Sequence, residues 1–321
     1  MIIQSDLMKA VEILRKGGLI ALPTETVYGL GADASNPEAL LKIFTVKQRP
    51  IDHPLIVHLA DIEQLPEWVS EIPDFAMQLG LALWPGPMTL IFKKAPHVSD
   101  LITGKQDTIA VRVPAHPIAE ALLRAFGGGV AAPSANLFGR LSPTTAAAVR
   151  EELGDQVDFI LDGGQCEVGV ESTIIDVSRG YPVILRPGMI TAHQIESILN
   201  EEIITALRKN SPRVSGSMAS HYAPRTKMRL MKSLVIPHFL NELRHKDLPI
   251  AILTYSMCPL PQDDVEWIMM PNNPLSYAHD LYQTLRDLDK RDFREIIIET
   301  PPEDSSWDAI RDRLVRASHK E

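Results

Sequence analysis

One short stretch, residues 23–31, limits most strongly the folds that this chain can adopt. It reads Pro-Thr-Glu-Thr-Val-Tyr-Gly-Leu-Gly and follows an apolar run, residues 19–22, which predicts a buried strand. In α/β sheets, ligands bind at the carboxyl ends of strands. The hydroxyls of Thr24 and Thr26 could hydrogen-bond a polar ligand there, and the glycines permit a close backbone approach or a positive φ. A capped turn accounts for the same residues, so both interpretations stay open.

Short apolar runs that end in polar or turn-forming residues recur through the first two thirds of the chain. They predict strands at 55–59, 88–92, 108–113, 130–132, 159–161, 174–177 and 183–185. Helices are predicted at 5–16, 37–47, 118–126, 142–154 and 191–207, some of them after a capping residue such as Asn36. This mixture predicts an α/β fold.

Several cations lie at or near the ends of these elements. Lys47 and Arg49 close a predicted helix, where basic side chains also favour the helix dipole without any ligand. Arg112 is flanked by apolar residues in a predicted strand, and an arginine on a sheet face needs an anion. That anion could be a structural carboxylate or a ligand, and the sequence does not choose between them. Arg186, at another strand end, is a further candidate for contact with an anion.

Hydroxyl and amide side chains also accumulate at the strand ends. They include Ser134, Asn136, Ser142 and Ser172. Such groups can surround a phosphate near a helix start, although ordinary caps and loops use the same residues. Together with the cations they suit a polyanionic substrate, because nucleotidyl transfer needs mainly positioning and charge neutralisation. The residues alone therefore predict a phosphate-ligand enzyme or an anion-binding module.

Several familiar chemistries lack their sequence signals. There is no Gly-x-x-x-x-Gly-Lys-Ser/Thr loop, and Gly29-Leu30-Gly31 lacks the third glycine of a dinucleotide fingerprint. No clustered His and Cys residues predict a metal site, and no carboxylate pair predicts a glycosidase. His58 lies inside a predicted strand, where a lone histidine is usually a core residue.

Charge and cysteine content narrow the class of protein further. The net charge is −9, and residues 1–206 hold 15 Lys and Arg against 25 Asp and Glu, which gives −10. An acidic domain that handles anions must concentrate its few cations locally. The two cysteines, Cys166 and Cys258, lie far apart, which is typical of a reducing compartment. With no visible signal peptide or membrane-spanning run, we expect a cytoplasmic protein.

The chain divides into two parts. Residues 208–229 are rich in serine, proline and basic residues, which predicts an interdomain linker. The linker contains His221 and Tyr222, an aromatic pair that could pack onto the first domain. Beyond it, alternating strands and helices predict a small parallel α/β domain. The predicted boundaries are 1–207 for the first domain, 208–229 for the linker or lid, and 230–321 for the second domain.

Taken in order, the motifs of this chain closely resemble those of the YrdC family in its long, two-domain form. The matching stretches are 23–31, Lys47-x-Arg49-Pro50, 53–58, Trp84-Pro85-Gly86-Pro87, 110–114, 132–136, 142–144, 171–173, 185–188 and His221-Tyr222-Ala223-Pro224. Each motif alone is weak, but the ordered series is specific and covers nearly the whole chain. The resemblance implies a twisted α/β sheet around a basic cavity, followed by a small Rossmann-like parallel domain.

The resemblance also implies which residues bind which substrate. The residues that would bind L-threonine are Thr26, His58, Arg112, Ala132 through its backbone, and Ser172. The residues that would bind ATP are Arg49, His53, Thr108, Ser134, Ser142, Arg186 and Tyr222. Arg112 would pair with the carboxylate of threonine. Lys47 and Arg49 would act as the catalytic cations at the phosphates.

The implied reaction joins L-threonine, bicarbonate and ATP into threonylcarbamoyl-AMP and releases pyrophosphate. A carbamate formed from the threonine amine would attack the α-phosphorus, with help from a divalent cation, expected to be Mg²⁺, whose ligands the sequence does not identify. The product would pass to the machinery that modifies adenosine next to the anticodon of tRNA. We expect weak or no direct binding of tRNA and no membrane partner.

Two other functions occur in proteins that share this type of domain. Short members bind RNA, but the acidic first domain of this chain disfavours that function, because RNA affinity needs many cations. Carbamoyltransferases of the hydrogenase-maturation type need zinc-finger cysteines, and two cysteines are too few for that arrangement.

Overall fold

The computed structural model describes residues 4–205, 211–216, 218, 221–243, 247, 249–256 and 262–319. The chain forms two compact units. The first comprises Met1–Phe138 and Ser142–Ser217, and the second comprises Gly139–Leu141 and Met218–Glu321. Cys258 and parts of the predicted linker lie outside the described residues. Among the residues described, none of the helices combines the length and apolar character needed to span a bilayer.

The first unit is built on one mixed sheet. Its strands are β1 (Ile20–Leu22), β2 (Gly29–Asp33), β3 (Ile56–His58), β4 (Met88–Lys93), β5 (Thr108–Arg112), β6 (Val130–Ala131), β7 (Phe159–Ile160), β8 (Thr173–Asp176) and β9 (Val183–Arg186). Their order across the sheet is β7-β1-β2-β6-β3-β5-β4-β8-β9. The sheet contains both parallel pairs, such as β3 with β5, and antiparallel pairs, such as β4 with β5. The predicted α/β class and the large twisted sheet are confirmed.

Helices cover this sheet and bury its apolar side chains. They are α1 (Gln4–Arg15), α2 (Pro37–Lys47), α3 (Asp74–Leu83), α4 (Asp100–Thr103), α5 (Pro117–Phe126), α6 (Ala146–Leu153) and α7 (Ala192–Leu199). The caps follow the predicted chemistry: the Asn36 side chain accepts from two backbone amides at the start of α2, and Thr191 with Gln194 forms a capping box on α7. One large core cluster contains Leu30, Val57 and Val111, all fully buried.

The stretch that follows β1 differs from the prediction in one respect. Residues 23–28 turn the chain, but Gly29 and Gly31 belong to β2, which pairs antiparallel with β1. Neither glycine has a positive φ. A Cβ atom on Gly31 would lie 2.9 Å from a methyl carbon of Leu22 and 3.0 Å from one of Val130. These two glycines therefore leave room for side chains of the neighbouring strands, a close approach that a residue without a Cβ atom permits.

The second unit has the predicted parallel sheet. Its strands are β10 (Lys227–Met231), β11 (Ile250–Thr254), β12 (Val265–Met269) and β13 (Glu295–Glu299), in the order β10-β13-β11-β12. All of its strand pairs are parallel, and its helices are α8 (Ile236–Glu242), α9 (Pro274–Asp289) and α10 (Asp308–Ser318). Residues 227–229, predicted as the end of the linker, are instead the start of β10, where their backbone pairs with β13.

At the carboxyl ends of β11 and β13, one carboxylate organises the neighbouring backbone. Glu299 Oε2 accepts from Thr254 Oγ1 at 2.5 Å, from the Tyr255 amide at 2.9 Å and from the Ser256 amide at 3.1 Å, and Ser256 Oγ donates to Oε1. Burial alone would raise the pKa of this carboxyl, but these hydrogen bonds outweigh burial and lower its pKa below 4.5. The ionised form of Glu299 therefore stabilises the second unit.

We expect Glu299→Gln to lower the free energy of unfolding of the second unit by about 1–3 kcal/mol at pH 7, because a buried acceptor for four donors is impaired. Since the pKa is lowered in the folded state, the contribution is present above pH 4.5 and is lost as the pH falls below that value. Urea unfolding followed by tryptophan fluorescence at pH 7 and pH 4 measures both effects.

The matched control is Glu266→Gln on β12 of the same sheet, whose ion pair with Arg291 is exposed to solvent. That change should alter stability by less than about 0.5 kcal/mol. Equal losses for the two variants would contradict the role given to Glu299.

Candidate active site

Neighbouring strands of the first unit bring the predicted site residues to one face of the sheet. In the register of β3 with β5, His58 pairs with Arg112 and Ile56 pairs with Ala110. Because paired residues point to the same side and side chains alternate along a strand, His58 and Arg112 share this face with Thr108. In the same way, β4, β8 and β9 add Thr89, Ser172 and Arg186 to it. The site is thus a row of polar side chains across adjacent strands.

The anion that Arg112 needs is supplied by the turn after β1. Arg112 Nη2 lies 2.7 Å from Glu25 Oε1, and both side chains are only 5% exposed. Its Nη1 donates to Thr26 Oγ1 at 2.8 Å, and its Nε donates to the Gly86 carbonyl at 3.3 Å. Of the two alternatives left open by the sequence, the structure thus contains the structural carboxylate. The remaining N–H bonds of the guanidinium can still meet a ligand, since arginine has five donors.

Beside this pair, His58 is a buried neutral imidazole. Burial is the main cause that lowers its pKa, to about 3, and the nearby Arg112 guanidinium acts in the same direction. Its Nδ1 atom is buried and has no hydrogen-bond partner among the described residues. Backbone groups of Ile56 and Val130 oppose these two causes and act to raise the pKa of His58. At neutral pH, His58 can therefore serve as a hydrogen-bond partner but not as a cation.

Lys47 ends α2, yet it is not the solvated helix end that its position could indicate. The side chain is 1% exposed, and Nζ donates to the carbonyl oxygens of Ser134 and Asn136 at 2.5 Å each. Burial lowers the pKa of Lys47 well below 10.5, the charge of Arg49 lowers it further, and Glu152 opposes them. Within the part of the chain that the structure describes, no carboxylate forms an ion pair with Lys47. Lys47 is therefore a buried amine whose hydrogen bonds within the described residues go to neutral carbonyl groups.

Arg49 and His53 lie close to Lys47 in sequence and meet at one aromatic ring. Gln48 adopts a left-handed conformation with φ of 51° and ends the helix, which turns the chain toward Arg49. The Arg49 guanidinium lies 5.4 Å from the ring centre of Phe138, and the His53 ring meets Phe138 edge-on at 5.1 Å. Burial and the charge of Arg49 lower the pKa of His53. Its imidazole is therefore neutral at pH 7.

The predicted serines and Ala132 differ in their burial and in their hydrogen-bond partners. Ser142 is fully buried, and its Oγ donates to Glu171 Oε1 at 2.5 Å. Ser134 is half-buried, and its carbonyl accepts from Lys47. The Ala132 amide donates to the Ile56 carbonyl at 2.9 Å, so its carbonyl is the backbone group left to meet a ligand.

Arg186 connects strand β9 with Ser172. Its Nε and Nη2 donate to the Ser172 carbonyl at 3.2 and 3.0 Å, and Nη2 also reaches Ser172 Oγ at 3.2 Å. Ser172 Oγ in turn lies 2.7 Å from Thr89 Oγ1, which is fully buried. The structure thus ties a predicted threonine-binding residue, Ser172, directly to a predicted ATP-binding residue, Arg186.

A segment of the predicted linker, residues 213–215, lies against the same face. Val214 is 4% exposed and packs on an apolar cluster that includes Ile56 and Ile174, and Arg186 Nη1 donates to the Ser215 carbonyl at 2.9 Å. Arg213 donates through Nη2 to the Gly104 carbonyl at 2.8 Å. A cavity of only about 10 Å³ remains beneath the segment. This segment therefore fills much of the space above the strand row.

Tyr222 is the one predicted site residue that belongs to the second unit. It is 1% exposed, its ring stacks on Tyr282 at 6.0 Å, and the Arg313 guanidinium lies 5.3 Å from its ring centre. Tyr222 has a left-handed backbone, with φ of 59°. Its predicted contact with ATP stays a prediction.

Sequence reasoning missed several residues that hold the site together. Glu25 stands in the stretch 23–31, and Glu171 precedes Ser172 in a quoted motif, but neither was given a role. Thr24 was expected only to offer its hydroxyl to a ligand. Thr89 also had no distinguishing signal, because a threonine within a strand is common. The signal that could have identified the partner of Arg112 was Glu25. It is a carboxylate in a turn whose neighbouring residues are apolar or carry hydroxyl groups.

Two protein-family models match the chain. One, described as "Telomere recombination", matches residues 12–188, and the other, described as "Threonylcarbamoyl-AMP synthase, C-terminal domain", matches residues 190–319. Among curated relatives, the threonylcarbamoyl-AMP synthase of Bacillus subtilis is 37% identical over 326 aligned positions, which cover 98% of this chain and 93% of that protein. The protein of the same name from Pyrococcus abyssi is 35% identical and covers 96% of this chain and 93% of its own.

A solved structure is similar over the same length. The crystal structure of P. abyssi Sua5 complexed with L-threonine superposes on this chain with a TM-score of 0.90 at 35% identity. The superposition covers 99% of this chain and 95% of the other.

We expect Glu25→Gln to destabilise the first unit by roughly 3–5 kcal/mol, because it leaves the Arg112 guanidinium buried without its counter-charge. Urea unfolding followed by far-ultraviolet circular dichroism measures this loss. The control is Glu12→Gln, which removes an ion pair with Lys16 in which both side chains are more than half exposed. That variant should unfold close to wild type. If the two variants unfold at the same urea concentration, the Glu25–Arg112 pair is not an important source of stability.

Proposed function

Because the chain belongs to the threonylcarbamoyl-AMP synthase family, we propose that it makes L-threonylcarbamoyladenylate from L-threonine, bicarbonate and ATP and releases pyrophosphate. Members of this family are nucleotidyltransferase-type enzymes with a role in tRNA modification. The relative from P. abyssi has been crystallised with L-threonine, which supports the amino-acid half of the proposal. We further propose that the product passes to the machinery that modifies adenosine next to the anticodon of tRNA.

The proposed threonine site is centred on Arg112. Its free N–H bonds pair with the carboxylate of threonine, as charge-assisted hydrogen bonds of arginine commonly do. Thr26 and the neutral His58 flank the guanidinium and meet the other polar groups of the amino acid. The Ala132 carbonyl and Ser172 complete the predicted set. The Glu25–Arg112 pair is electrically neutral, and so is zwitterionic threonine, so binding leaves no uncompensated buried charge.

The proposed phosphate site is centred on Lys47 and Arg49. The observation that carries the proposal is the buried Lys47 ammonium, whose hydrogen bonds among the described residues go to the Ser134 and Asn136 carbonyls. A polyphosphate satisfies a cation of this kind better than any neutral group does. Thr108, Ser134, Ser142, Arg186 and His53 bind the remainder of ATP in this proposal, with His53 as a neutral hydrogen-bond partner.

The proposed chemistry proceeds in two steps. The threonine amine and bicarbonate form a carbamate with loss of water. An oxygen of that carbamate attacks the α-phosphorus of ATP, and the bond to the pyrophosphate leaving group breaks. Lys47 and Arg49 stabilise the negative charge that develops on the leaving group, because fixed cations in a site shielded from water act strongly on such charge.

A divalent cation, which we expect to be Mg²⁺, would neutralise further negative charge on the phosphates. Within the described residues, no three His, Cys, Asp or Glu side chains form a metal cluster. Such a cluster is not required, because Mg²⁺ is commonly held by substrate phosphates and one or two carboxylates. The residues therefore fit a metal that arrives with the nucleotide. Of the two buried site carboxylates, Glu25 is paired with Arg112, and Glu171 accepts from Ser142.

The decisive experiment measures pyrophosphate release by the full chain. We expect release from ATP to require both L-threonine and bicarbonate, and to be slower with L-serine in place of threonine. Lys47→Met should reduce kcat at least about a hundredfold, because removal of one preorganised charge at a developing anion commonly costs that much. Mass spectrometry of the adenylate product confirms the reaction.

Lys42→Met is the matched control, because Lys42 lies on the same helix but its Nζ contacts only the Gly17 carbonyl, away from the site. It should retain the kcat of wild type. Folded wild-type protein that gives no threonine-dependent pyrophosphate release would overturn the proposed function. RNA affinity that falls steeply with salt, without ATP turnover, would favour an RNA-binding protein instead.

We propose that the linker acts as a lid on the nucleotide site, with Tyr222 as its contact with ATP. Residues 213–215 occupy the sheet face next to Arg186 and Thr108, so a ligand on this face must share or displace them. If a ligand displaces this segment, the hydrogen bonds of Arg213 to Gln106 and Gly104 must break.

We expect Tyr222→Ala to raise the KM for ATP roughly tenfold, because it removes one aromatic contact with the nucleotide. Steady-state kinetics with varied ATP give this value. Tyr282→Ala is the control, since it breaks the same stacked tyrosine pair from the other side and should leave the KM for ATP close to wild type. Equal KM values for ATP in Tyr222→Ala and wild type would refute the proposed contact between Tyr222 and ATP.

A further inference from the structure

The turn after β1 contains a hydroxyl, that of Thr24, to which none of the proposed chemistry assigns a role. Thr24 and Thr26 are 2% and 0% exposed, so water does not satisfy their hydroxyls. Thr24 Oγ1 donates to the Val27 carbonyl at 2.6 Å and lies 2.9 Å from Thr26 Oγ1. The Thr26 and Val27 amides also point to Thr24 Oγ1, each at 3.2 Å.

These contacts fix the direction of the hydrogen bond between the two threonines. A hydroxyl has a single proton, and that of Thr24 is used by the Val27 carbonyl, which can only accept. In the 2.9 Å contact, Thr26 must therefore be the donor and Thr24 the acceptor. Since the Thr26 proton is committed to Thr24, Thr26 Oγ1 can only accept from other groups. One of those groups is Arg112 Nη1, at 2.8 Å.

We propose that Thr24 is a positioning residue that fixes Thr26 as a hydrogen-bond acceptor for the α-ammonium group of the amino-acid substrate. This role rests on the proposed threonine site. A hydroxyl oxygen has two lone pairs, so one remains on Thr26 when Arg112 occupies the other. If the Thr24 hydroxyl were absent, Thr26 would be free to rotate its proton toward the ligand and would repel an N–H donor.

In this proposal, the remaining lone pair of Thr26 Oγ1 accepts a hydrogen bond from the α-ammonium group of the substrate. Arg112 pairs with the substrate carboxylate, and the α-ammonium is carried by the carbon next to that carboxylate. An acceptor 2.8 Å from Arg112 Nη1 is therefore adjacent to the amine of an amino acid. The Glu25 carboxylate, whose Oε1 lies 2.7 Å from Arg112 Nη2, is a further acceptor beside the guanidinium and suits a group with several N–H bonds. Once the ammonium has released one proton to solvent, the amine held in this way presents a fixed orientation to bicarbonate.

The test is a double-mutant cycle on L-threonine affinity, measured by calorimetric titration of the full chain. Thr24→Val should weaken binding roughly tenfold, in line with the loss of one hydrogen bond to a charged group. Thr26→Val should weaken it at least as much. In the Thr26→Val background, adding Thr24→Val should change affinity by less than about twofold, because residues that act as a unit are not additive. Thr24→Ser, which keeps the hydroxyl, should bind as wild type does.

Each other outcome overturns a different statement. If the two losses add, Thr24 acts on the fold of the turn rather than through Thr26, and the positioning role is wrong even though wild type forms product. If L-2-aminobutyrate, which lacks the substrate hydroxyl, binds equally to wild type and Thr24→Val, then Thr26 meets that hydroxyl and the ammonium assignment is wrong. Wild type that binds no threonine and forms no product overturns the proposed function itself.

Discussion

The pairing of Arg112 with Glu25 is the interaction on which the candidate site depends. An arginine carried on a sheet face that is closed to water is tolerated only with a counter-charge and with partners for its N–H bonds. The turn after β1 provides both, through Glu25 and Thr26, and the backbone of Gly86 adds a third acceptor. Because these partners come from separate parts of the chain, Arg112 fixes the turn against the sheet as much as the turn fixes Arg112.

The two halves of the site differ in how their buried charges are balanced. Arg112 already has a carboxylate, so its surroundings are neutral before any ligand arrives. In the part of the chain that the structure describes, the hydrogen bonds of Lys47 go to carbonyl oxygens, and burial lowers its pKa. A neutral zwitterion suits the first environment and a polyanion suits the second. The same sheet face can therefore distinguish an amino acid from a nucleotide by net charge before shape is considered.

Much of the fold could be predicted from the sequence, because apolar periodicity and caps act locally. The helix at Pro37–Lys47 was predicted with its observed bounds, and the parallel second sheet and the family assignment are confirmed. The reason for glycine at positions 29 and 31 was harder to predict. It depends on Leu22 and Val130, which lie on other strands and leave little room for a side chain. The choice between a structural and a ligand anion for Arg112 could not be made either, because Glu25 lies 87 positions away in the chain. The burial of Lys47 likewise depends on carbonyl groups of residues 134 and 136, which side-chain patterns do not reveal.

The strand order of the first unit has a consequence for how the protein acquires its site during folding. Strand β1, near the start of the chain, pairs with β7, which begins at Phe159, and β4 pairs with β8, which begins at Thr173. Contacts between residues so distant in sequence form slowly, because the loops between them must close first. A nascent chain that ends before Arg186 has helices and hairpins but only part of the strand row that carries the site. The polar face is therefore a late product of folding, because at least 186 of the 321 residues, somewhat more than half, must be synthesised before the strand row is complete.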